Sequence, residues 1–118
     1  METYHISIQS LPKIIFAHEY VSDNYDISFD KTEDFLEISY LIAGDILLCR
    51  KNHTETIPAG SIMVACRREP ERAYALTRQQ HITVGFHAKL AEQGELVLPN
   101  YMQSPGNERF YRRLRSIV

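Results

Sequence analysis

One stretch of the sequence, residues 35–65, constrains the fold more than any other, because apolar runs in it alternate with tight-turn signals. Residues 35–42 (FLEISYLI) and 46–49 (ILLC) are rich in aliphatic and aromatic side chains, as β-strands are. Gly44 and Asp45, which lie between them, are typical of a hairpin turn. The pattern therefore predicts two strands joined by a tight turn.

A second turn signal follows in the same stretch. Residues 52–55 (NHTE) are polar and are expected to be exposed. Pro58 fixes one backbone angle and Gly60 permits another that other residues avoid, so the chain is expected to reverse before the apolar residues 62–64. The whole stretch therefore predicts two strands joined by a tight turn, a polar break and a third strand, with an ordinary antiparallel β-meander as the less favoured alternative.

Further short strands are expected along the rest of the chain, at residues 13–21, 25–29, 73–77 and 81–88. Residues 1–11 indicate either a short strand or an arm lying on the body, and residues 89–98 either a helical turn or a strand. About eight short strands with frequent turns are typical of a sandwich or barrel. The fold class expected is therefore mainly β, a small β-barrel.

The last residues have helical spacing. Asn107 is a candidate cap, Glu108 lies in the first turn, and an apolar stripe follows: Phe110, Leu114 and Ile117. The stripe is expected to dock on the body or on a partner, so these three residues are candidates for dimerisation. Since the apolar pattern still runs at residue 118, we expect a fragment of a longer protein, with a β domain at 1–106 and the start of a helix at 107–118.

Composition narrows the class of protein. A chain of 118 residues with a net charge of -2 predicts one domain that has no general affinity for polyanions. No apolar run approaches the length of about 20 residues that spans a membrane, and no signal peptide is recognisable. Cys49 and Cys66 are expected to be reduced and packed, which favours the cytoplasm.

Catalytic motifs are absent from the sequence, which has no G-x-S-x-G and no phosphate-binding glycine loop. His18-Glu19 begins like a zincin motif but lacks the second histidine. His81 and His87 would share one face of a strand at a separation of about 20 Å, too far for one ion. We therefore predict no catalytic residue, no metal and no cofactor.

The helix at residues 107–118 is basic, with Arg109, Arg112, Arg113 and Arg115. Such a face can contact nucleic acid. A solvated face of an amphipathic helix is the favoured interpretation, because isolated runs of charge are usually solvent faces.

Polar side chains on the inward faces of a small barrel select its ligand. The candidates are Glu37, Ser39, Arg50, Tyr74, His81 and Thr83. Which face of residues 35–42 points inward stays open. Hydrophobicity alone would place Leu36, Ile38, Tyr40 and Ile42 inside, but a strand can be apolar on both faces when one lines a cavity and the other is covered.

Several of these features together resemble a cupin, and more narrowly the N-terminal sensor domain of AraC-type transcription regulators. The resemblance rests on Glu37 followed by Gly44, the turn at 57–62 (IPAGSI), the strand at 81–88, and Leu98-Pro99 before the helix. It implies a jelly-roll barrel that binds a small polar effector, a sugar or another metabolite. It also implies a homodimer, an N-terminal arm that closes over the ligand, and DNA binding through a helix-turn-helix domain outside this chain.

The chain departs from metal-dependent cupins at their histidines. Those proteins carry two histidines shortly before the glutamate that corresponds to Glu37, where this chain has residues 30–33 (DKTE), and another after the turn, where it has 61–64 (SIMV). The resemblance thus favours a metal-free sensor over the alternative, a free-standing cupin enzyme or binding protein. A purely structural dimerisation barrel is the third hypothesis.

Overall fold

The computed structural model describes residues 3–7, 13–29, 35–66, 70–87, 89–90, 96–103 and 106–118. Within them the protein is mainly β with a C-terminal helix, which confirms the predicted class. The strands are β1 Thr3–Ser7, β2 Ile14–Ser22, β3 Asp26–Phe29, β4 Phe35–Ala43, β5 Ile46–Arg50, β6 His53–Ile57, β7 Ile62–Cys66, β8 Glu71–Tyr74, β9 Gln79–His87, β10 Lys89–Leu90, β11 Leu96–Pro99 and β12 Tyr101–Met102. The helix is α1, Asn107–Ile117.

The described strands form three antiparallel sheets, with the orders β12-β7-β4-β9-β2, β3-β8-β5-β6 and β10-β1-β11. The five-stranded and four-stranded sheets pack face to face, because one apolar cluster draws residues from both. Among the described strands no ladder joins these two sheets, so a closed barrel is not what the structure has.

The turn at Gly44 connects two sheets and does not close a hairpin. β4 lies between β7 and β9, whereas β5 lies between β6 and β8. The register of β4 against β9 shifts between Leu41 and Ala43, and Gly44 follows with a φ of 81°. A bulge followed by a glycine bends a strand out of its sheet, so the chain crosses to the opposite layer. The predicted strands are confirmed, but their mutual pairing is wrong.

The second turn agrees with its prediction. The Ser61 amide donates to the Pro58 carbonyl at 3.2 Å, and Gly60 has a φ of 86°, as the third residue of a type II turn requires. The polar break expected before it is wrong in part, because His53–Ile57 forms the edge strand β6 against β5. An edge strand that faces solvent can be polar. Such a strand lacks the apolar alternation from which strands are predicted.

Other strand boundaries also differ from those expected. β8 begins at Glu71, where Glu71 and Arg72 pair with Arg50 and Asp26 of the neighbouring strands, and residues 75–77 lie outside it. The turn expected at residues 78–80 is wrong in part, since Gln79 already belongs to β9. Where alternatives were open, residues 3–7, 89–90 and 96–99 are strands.

The outer face of the five-stranded sheet is covered by α1. Ile82, Val84 and Leu114 are the buried members of this cluster, and Tyr40 stacks on Tyr111 with ring centroids 4.9 Å apart. The alternate residues of β4 therefore have two destinations. Leu36 and Ile38 pack with β1, and Tyr40 and Ile42 pack beneath α1, so hydrophobicity alone would have placed the set wrongly. The helix and β1 cover this face with apolar side chains and so remove it from water.

The helix begins at Asn107, but Asn107 does not cap it. Gly106 occupies the cap position, and the buried Asn107 amide donates to the carbonyls of Gly60 and Met102 at 3.1 and 3.0 Å. These bonds anchor the start of the helix to the Pro-Ala-Gly turn and to β12.

Candidate ligand-binding site

A cavity of about 490 Å³ lies between the two large sheets, within the size range of small-molecule sites. Its lining comes from β2, β4, β7 and β9 on one side, from β3, β5 and β8 on the other, and from the residue before β3. The lining residues are Phe16, His18, Tyr20, Tyr25, Ile27, Phe29, Glu37, Ser39, Leu48, Met63, Ala65, Glu71, Ala73 and His81.

Small side chains around Glu37 leave the space open. In the register of the sheet Glu37 lies opposite Gly85 on one side and Ala65 on the other. Directly opposed residues on neighbouring strands share one face, so neither neighbour fills the volume above the carboxylate. Ala73 on the facing sheet is also small and lines the same cavity.

A chain of hydroxyl groups ends at Glu37. Ser39 Oγ donates to Thr83 Oγ1 at 2.8 Å, and Thr83 Oγ1 donates to Glu37 Oε1 at 3.0 Å. Ser39 and Thr83 are fully buried. Buried hydroxyls are costly without partners, and this chain gives both of them a bond. Three predicted effector residues therefore meet in one network, in which Glu37 and Ser39 line the cavity.

His81 also lines the cavity, and its tautomer follows from its partners. Gln79 Nε2 donates to the Gly44 carbonyl at 2.6 Å, which directs the Gln79 amide oxygen towards His81 Nδ1 at 3.0 Å. Because that oxygen only accepts, Nδ1 carries the hydrogen and Nε2 keeps a lone pair. Burial, with a smaller contribution from His18, lowers the pKa of His81 to about 4, so the ring is neutral at neutral pH.

Aromatic rings line one wall of the cavity. Phe16 stacks on His18 with centroids 5.0 Å apart, His18 meets Tyr20 edge-on at 4.3 Å, and Tyr20 approaches His81 at 5.0 Å. Tyr25 meets His81 edge-on at 5.2 Å. His18 Nε2 is buried and has no hydrogen-bond partner among the described residues.

Arg50 lies behind the cavity wall. Its Nε donates to Glu71 Oε2 at 2.8 Å, and its Nη2 donates to the Tyr4 hydroxyl at 2.7 Å. The Arg50 and Glu71 side chains are both buried, and Glu71 lines the cavity. Tyr4 belongs to β1, so the predicted arm is a strand that reaches the cavity through Arg50. The rest of residues 1–11 lies outside the described residues.

Tyr74 is not among the lining residues. Its ring lies under the Arg72 guanidinium, 4.3 Å from the ring centroid, and Arg72 binds Asp26 through two hydrogen bonds. The pKa of Asp26 is lowered mainly by the hydrogen bond from Arg72. Tyr74 is therefore part of an exposed cluster on the four-stranded sheet.

The aromatic residues of β2 are the part of the site that the sequence analysis missed. Phe16, His18 and Tyr20 alternate with Ala17 and Glu19, which is a period-two signal. In the sequence, His18 indicates only the start of an incomplete zincin motif.

The apolar stripe of α1 faces its own sheet for most of its length. Leu114 is buried and Phe110 packs beside it, whereas Ile117 is 50% exposed. The next residue of the helix, Arg115, forms two hydrogen bonds with Glu19 of β2, at 2.8 and 3.1 Å. These bonds, with a further one from Gln80, lower the pKa of Glu19.

Metal-binding clusters and membrane-spanning helices were both sought in the described part of the chain. Within it no three His, Cys, Asp or Glu residues are placed to share an ion. Cys49 and Cys66 are not joined in a disulfide. The described helix falls short of the length and apolarity that crossing a bilayer requires.

Comparison of the sequence with models of protein families gives no match, and comparison with curated proteins gives none either.

Proposed function

We propose that the protein binds a small polar molecule between its two large sheets and acts as the sensor domain of an AraC-type regulator. The observation that carries the proposal is the cavity, in which the Ser39–Thr83–Glu37 chain and His81 occupy a face that apolar residues would otherwise fill. Buried polar groups weaken a core unless they are bonded, so their concentration around open space favours a binding role.

The cupin-type jelly roll is part of the same proposal. The orders β2-β9-β4-β7 and β3-β8-β5-β6 are those that two interlocked Greek keys produce. The turn at Gly60 and the helix after β12 agree with the resemblance found in the sequence.

Strand β2 provides a route from the cavity to the helix. Its alternate residues point to opposite faces: His18 and Tyr20 line the cavity, while Glu19 binds Arg115 of α1. A ligand that favours one position of β2 would therefore bias α1, provided that it binds the two arrangements with different affinity.

In this proposal the sensor domain forms a homodimer. The exposed Ile117 and the adjoining exposed face of α1 would contribute to the dimer contact. DNA would be bound by a helix-turn-helix domain outside this chain, whose spacing the dimer sets.

The binding proposal is tested by thermal unfolding in the presence of a panel of small polar metabolites. A ligand at about 100 times its Kd stabilises the folded state by about 2.7 kcal/mol. We expect at least one compound to raise the Tm of the wild type and to leave Ala65→Leu, which fills the cavity beside Glu37, unchanged.

The matched control is Thr56→Leu, an exposed change on the edge strand β6, which should respond as the wild type does. Equal responses of all three proteins would show that the compound binds elsewhere and would contradict the proposal. Gel filtration with and without the compound then tests whether binding changes the oligomeric state.

A further inference from the structure

The β2 edge of the five-stranded sheet is long and apolar. β2 is the last strand of that sheet, it has nine residues, and among the described strands it pairs with β9 alone. Ile14, Ile15 and Val21 of this strand are each about half exposed. A long edge strand with exposed apolar side chains is a template for pairing with a further strand.

The residues that usually prevent such pairing are missing from β2. Edge strands commonly carry lysine, proline or other polar residues, and β6, an edge of the four-stranded sheet, has the polar sequence HTETI. β2, with the sequence IIFAHEYVS, has no lysine, arginine or proline. Its acidic residue, Glu19, is bonded to Arg115 of α1. A bulge interrupts the strand between Ile14 and Phe16, so the regular part of the edge runs from Phe16 to Ser22.

The sequence of β2 is matched to itself about its middle residue. Antiparallel strands of one sheet set residues of the same face opposite each other, so a two-fold axis between two copies of β2 passes through a residue. The greatest overlap places this axis at His18, the middle of the nine residues. Phe16 then lies opposite the partner's Tyr20, and Ile15 comes close to the partner's Val21.

These cross-strand pairs are of stabilising kinds. Aromatic pairs and pairs of β-branched residues are favourable across an antiparallel ladder. Beyond the strand, the exposed Lys13 comes towards the partner's exposed Asp23, so the charges are complementary at both ends. Glu19 lies opposite the partner's Ala17, not opposite a second carboxylate. An axis one residue earlier, at Ala17, would set Ile15 opposite Glu19 instead.

From this self-complementary edge we propose that two copies of the chain pair through β2, antiparallel about His18, so that their five-stranded sheets become continuous. The interface is isologous, so every contact occurs twice. Arg115 reaches this strand at Glu19, so the end of α1, with the half-exposed Ile117, lies beside the same edge and adds to the contact. The inference rests on the homodimer of the proposed function and names the surface that forms it.

The pairing also places the partner next to the cavity. Phe16 and Tyr20, which lie opposite each other's copies across the axis, both line the cavity. The partner's rings would therefore pack beside the rings that a ligand contacts. A ligand that moves β2 would then change the dimer interface directly, provided that it binds the two arrangements with different affinity.

Sedimentation equilibrium of the 118-residue chain over a range of concentrations tests the interface, and we expect the wild type to dimerise. Val21→Lys puts a charge on the exposed side of the β2 edge and should leave the folded monomer intact. Because the charge enters the interface twice and has to be desolvated, we expect the Kd of the dimer to rise at least about tenfold. Thr56→Lys, which places the same charge on the edge strand β6, is the matched control and should leave the Kd unchanged.

A cysteine variant tests the register, and it decides the question if Val21→Lys fails to fold. With the axis at His18 the two His18 side chains are directly opposed, so His18→Cys should form a disulfide between the copies under mild oxidation. Val21→Cys should not, because its two copies lie about 20 Å apart in this register. The wild type, with Cys49 and Cys66, corrects for cross-linking through the native thiols.

The outcomes distinguish this interface from the proposed function. The β2 interface is contradicted if Val21→Lys weakens the dimer no more than Thr56→Lys does, or if Val21→Cys cross-links and His18→Cys does not. A dimer that Ile117→Lys abolishes and Val21→Lys leaves intact would assign the contact to α1, so the homodimer would stand without β2. A chain that stays monomeric removes both. A β2 dimer in a protein that no compound of the metabolite panel stabilises would support the interface and contradict the binding proposal.

Discussion

The two faces of strands β4 and β9 differ although they belong to the same backbone. The outer face carries Tyr40, Ile82 and Val84, which α1 covers with Leu114 and its neighbours. The inner face carries the Ser39–Thr83–Glu37 chain and His81, next to open space. The comparison teaches that apolar packing and a polar cavity lie on opposite sides of one sheet, because alternate residues of a strand point to opposite faces.

The side chains on the two faces of the sheet are stabilised by different interactions. The outer face buries apolar surface. The resulting stabilisation is proportional to the buried area and depends little on exact side-chain geometry. The inner face depends on hydrogen bonds with fixed geometry, and each member constrains the next. Substitutions on the outer face should therefore act on folding, and substitutions on the inner face on folding and on ligand binding.

The largest effect is expected at the packed face. Ile82 is fully buried between the sheet and α1, so Ile82→Ala should cost about 2–5 kcal/mol through lost burial and a residual cavity. Urea denaturation measures the free energy of unfolding. Val21→Ala, at a residue that is 50% exposed, is the control and should cost far less. Equal costs would mean that the helix does not seal this face.

The next effect concerns His81 and pH. Its pKa is about 4 in the folded protein, against 6.5 for an ordinary histidine, mainly because the ring is buried. Above pH 6.5 the ring is neutral in both states and its contribution to stability is complete. As the pH falls from 6.5 towards 4, the unfolded chain takes up the proton first, so stability falls, by at most about 3 kcal/mol.

Urea denaturation at several pH values between 4 and 6.5 measures this slope. The variant His81→Gln should flatten it, whereas the exposed control His53→Gln should leave it as in the wild type. A slope that survives unchanged in His81→Gln would show that His81 is not its source.

A smaller effect is expected from the hydroxyl chain. Thr83→Val keeps the shape of the side chain but leaves Ser39 without its acceptor and removes one hydrogen bond to Glu37, at a cost of about 1–3 kcal/mol. Adding Ser39→Ala should recover part of that loss, since it removes one orphaned group. Additive costs in the double-mutant cycle would show that the two hydroxyls are not coupled.

The smallest effect is expected at the link between the faces. Arg115→Gln removes the bonds to Glu19 on an exposed surface, where ion pairs contribute little. The loss of stability should be smaller than each of those above and should vanish in high salt. Arg113→Gln, an exposed change two residues earlier on the helix, is the matched control. A large loss of stability in Arg115→Gln, without one in Arg113→Gln, would show that the fold depends on the Arg115–Glu19 ion pair.

The parts of the fold that could be predicted are those in which local chemistry decides. The apolar runs of β4, β5 and β7 and the turn at Gly60 follow from side-chain type and backbone preference. The pairing of β4 with β7 and β9 depends on partners more than twenty residues away, so local patterns assigned it to β5 instead. The polar edge strand β6 carries no apolar period that could indicate it.

The candidate site was predictable only in part for a similar reason. Glu37, Ser39, Thr83 and His81 were found because polar residues stand out inside apolar strands. The sequence does not show whether these residues face the cavity. The outer face of the sheet is covered by Leu114 and Tyr4, which lie at opposite ends of the chain and far from these strands in sequence. Tyr74 resembled the others in sequence, yet its partner Arg72 holds it at the surface.

The turn at Gly44 has a consequence for ligand choice. A side chain at this position would collide with the Arg78 carbonyl oxygen, so the turn fits closely against the start of β9. Its carbonyl orients the Gln79 amide, and the amide in turn decides which nitrogen of His81 bears a hydrogen. A substitution at Gly44 would displace this carbonyl and weaken the bond that orients the Gln79 amide, so the turn helps to set which ring nitrogen of His81 faces the cavity as an acceptor.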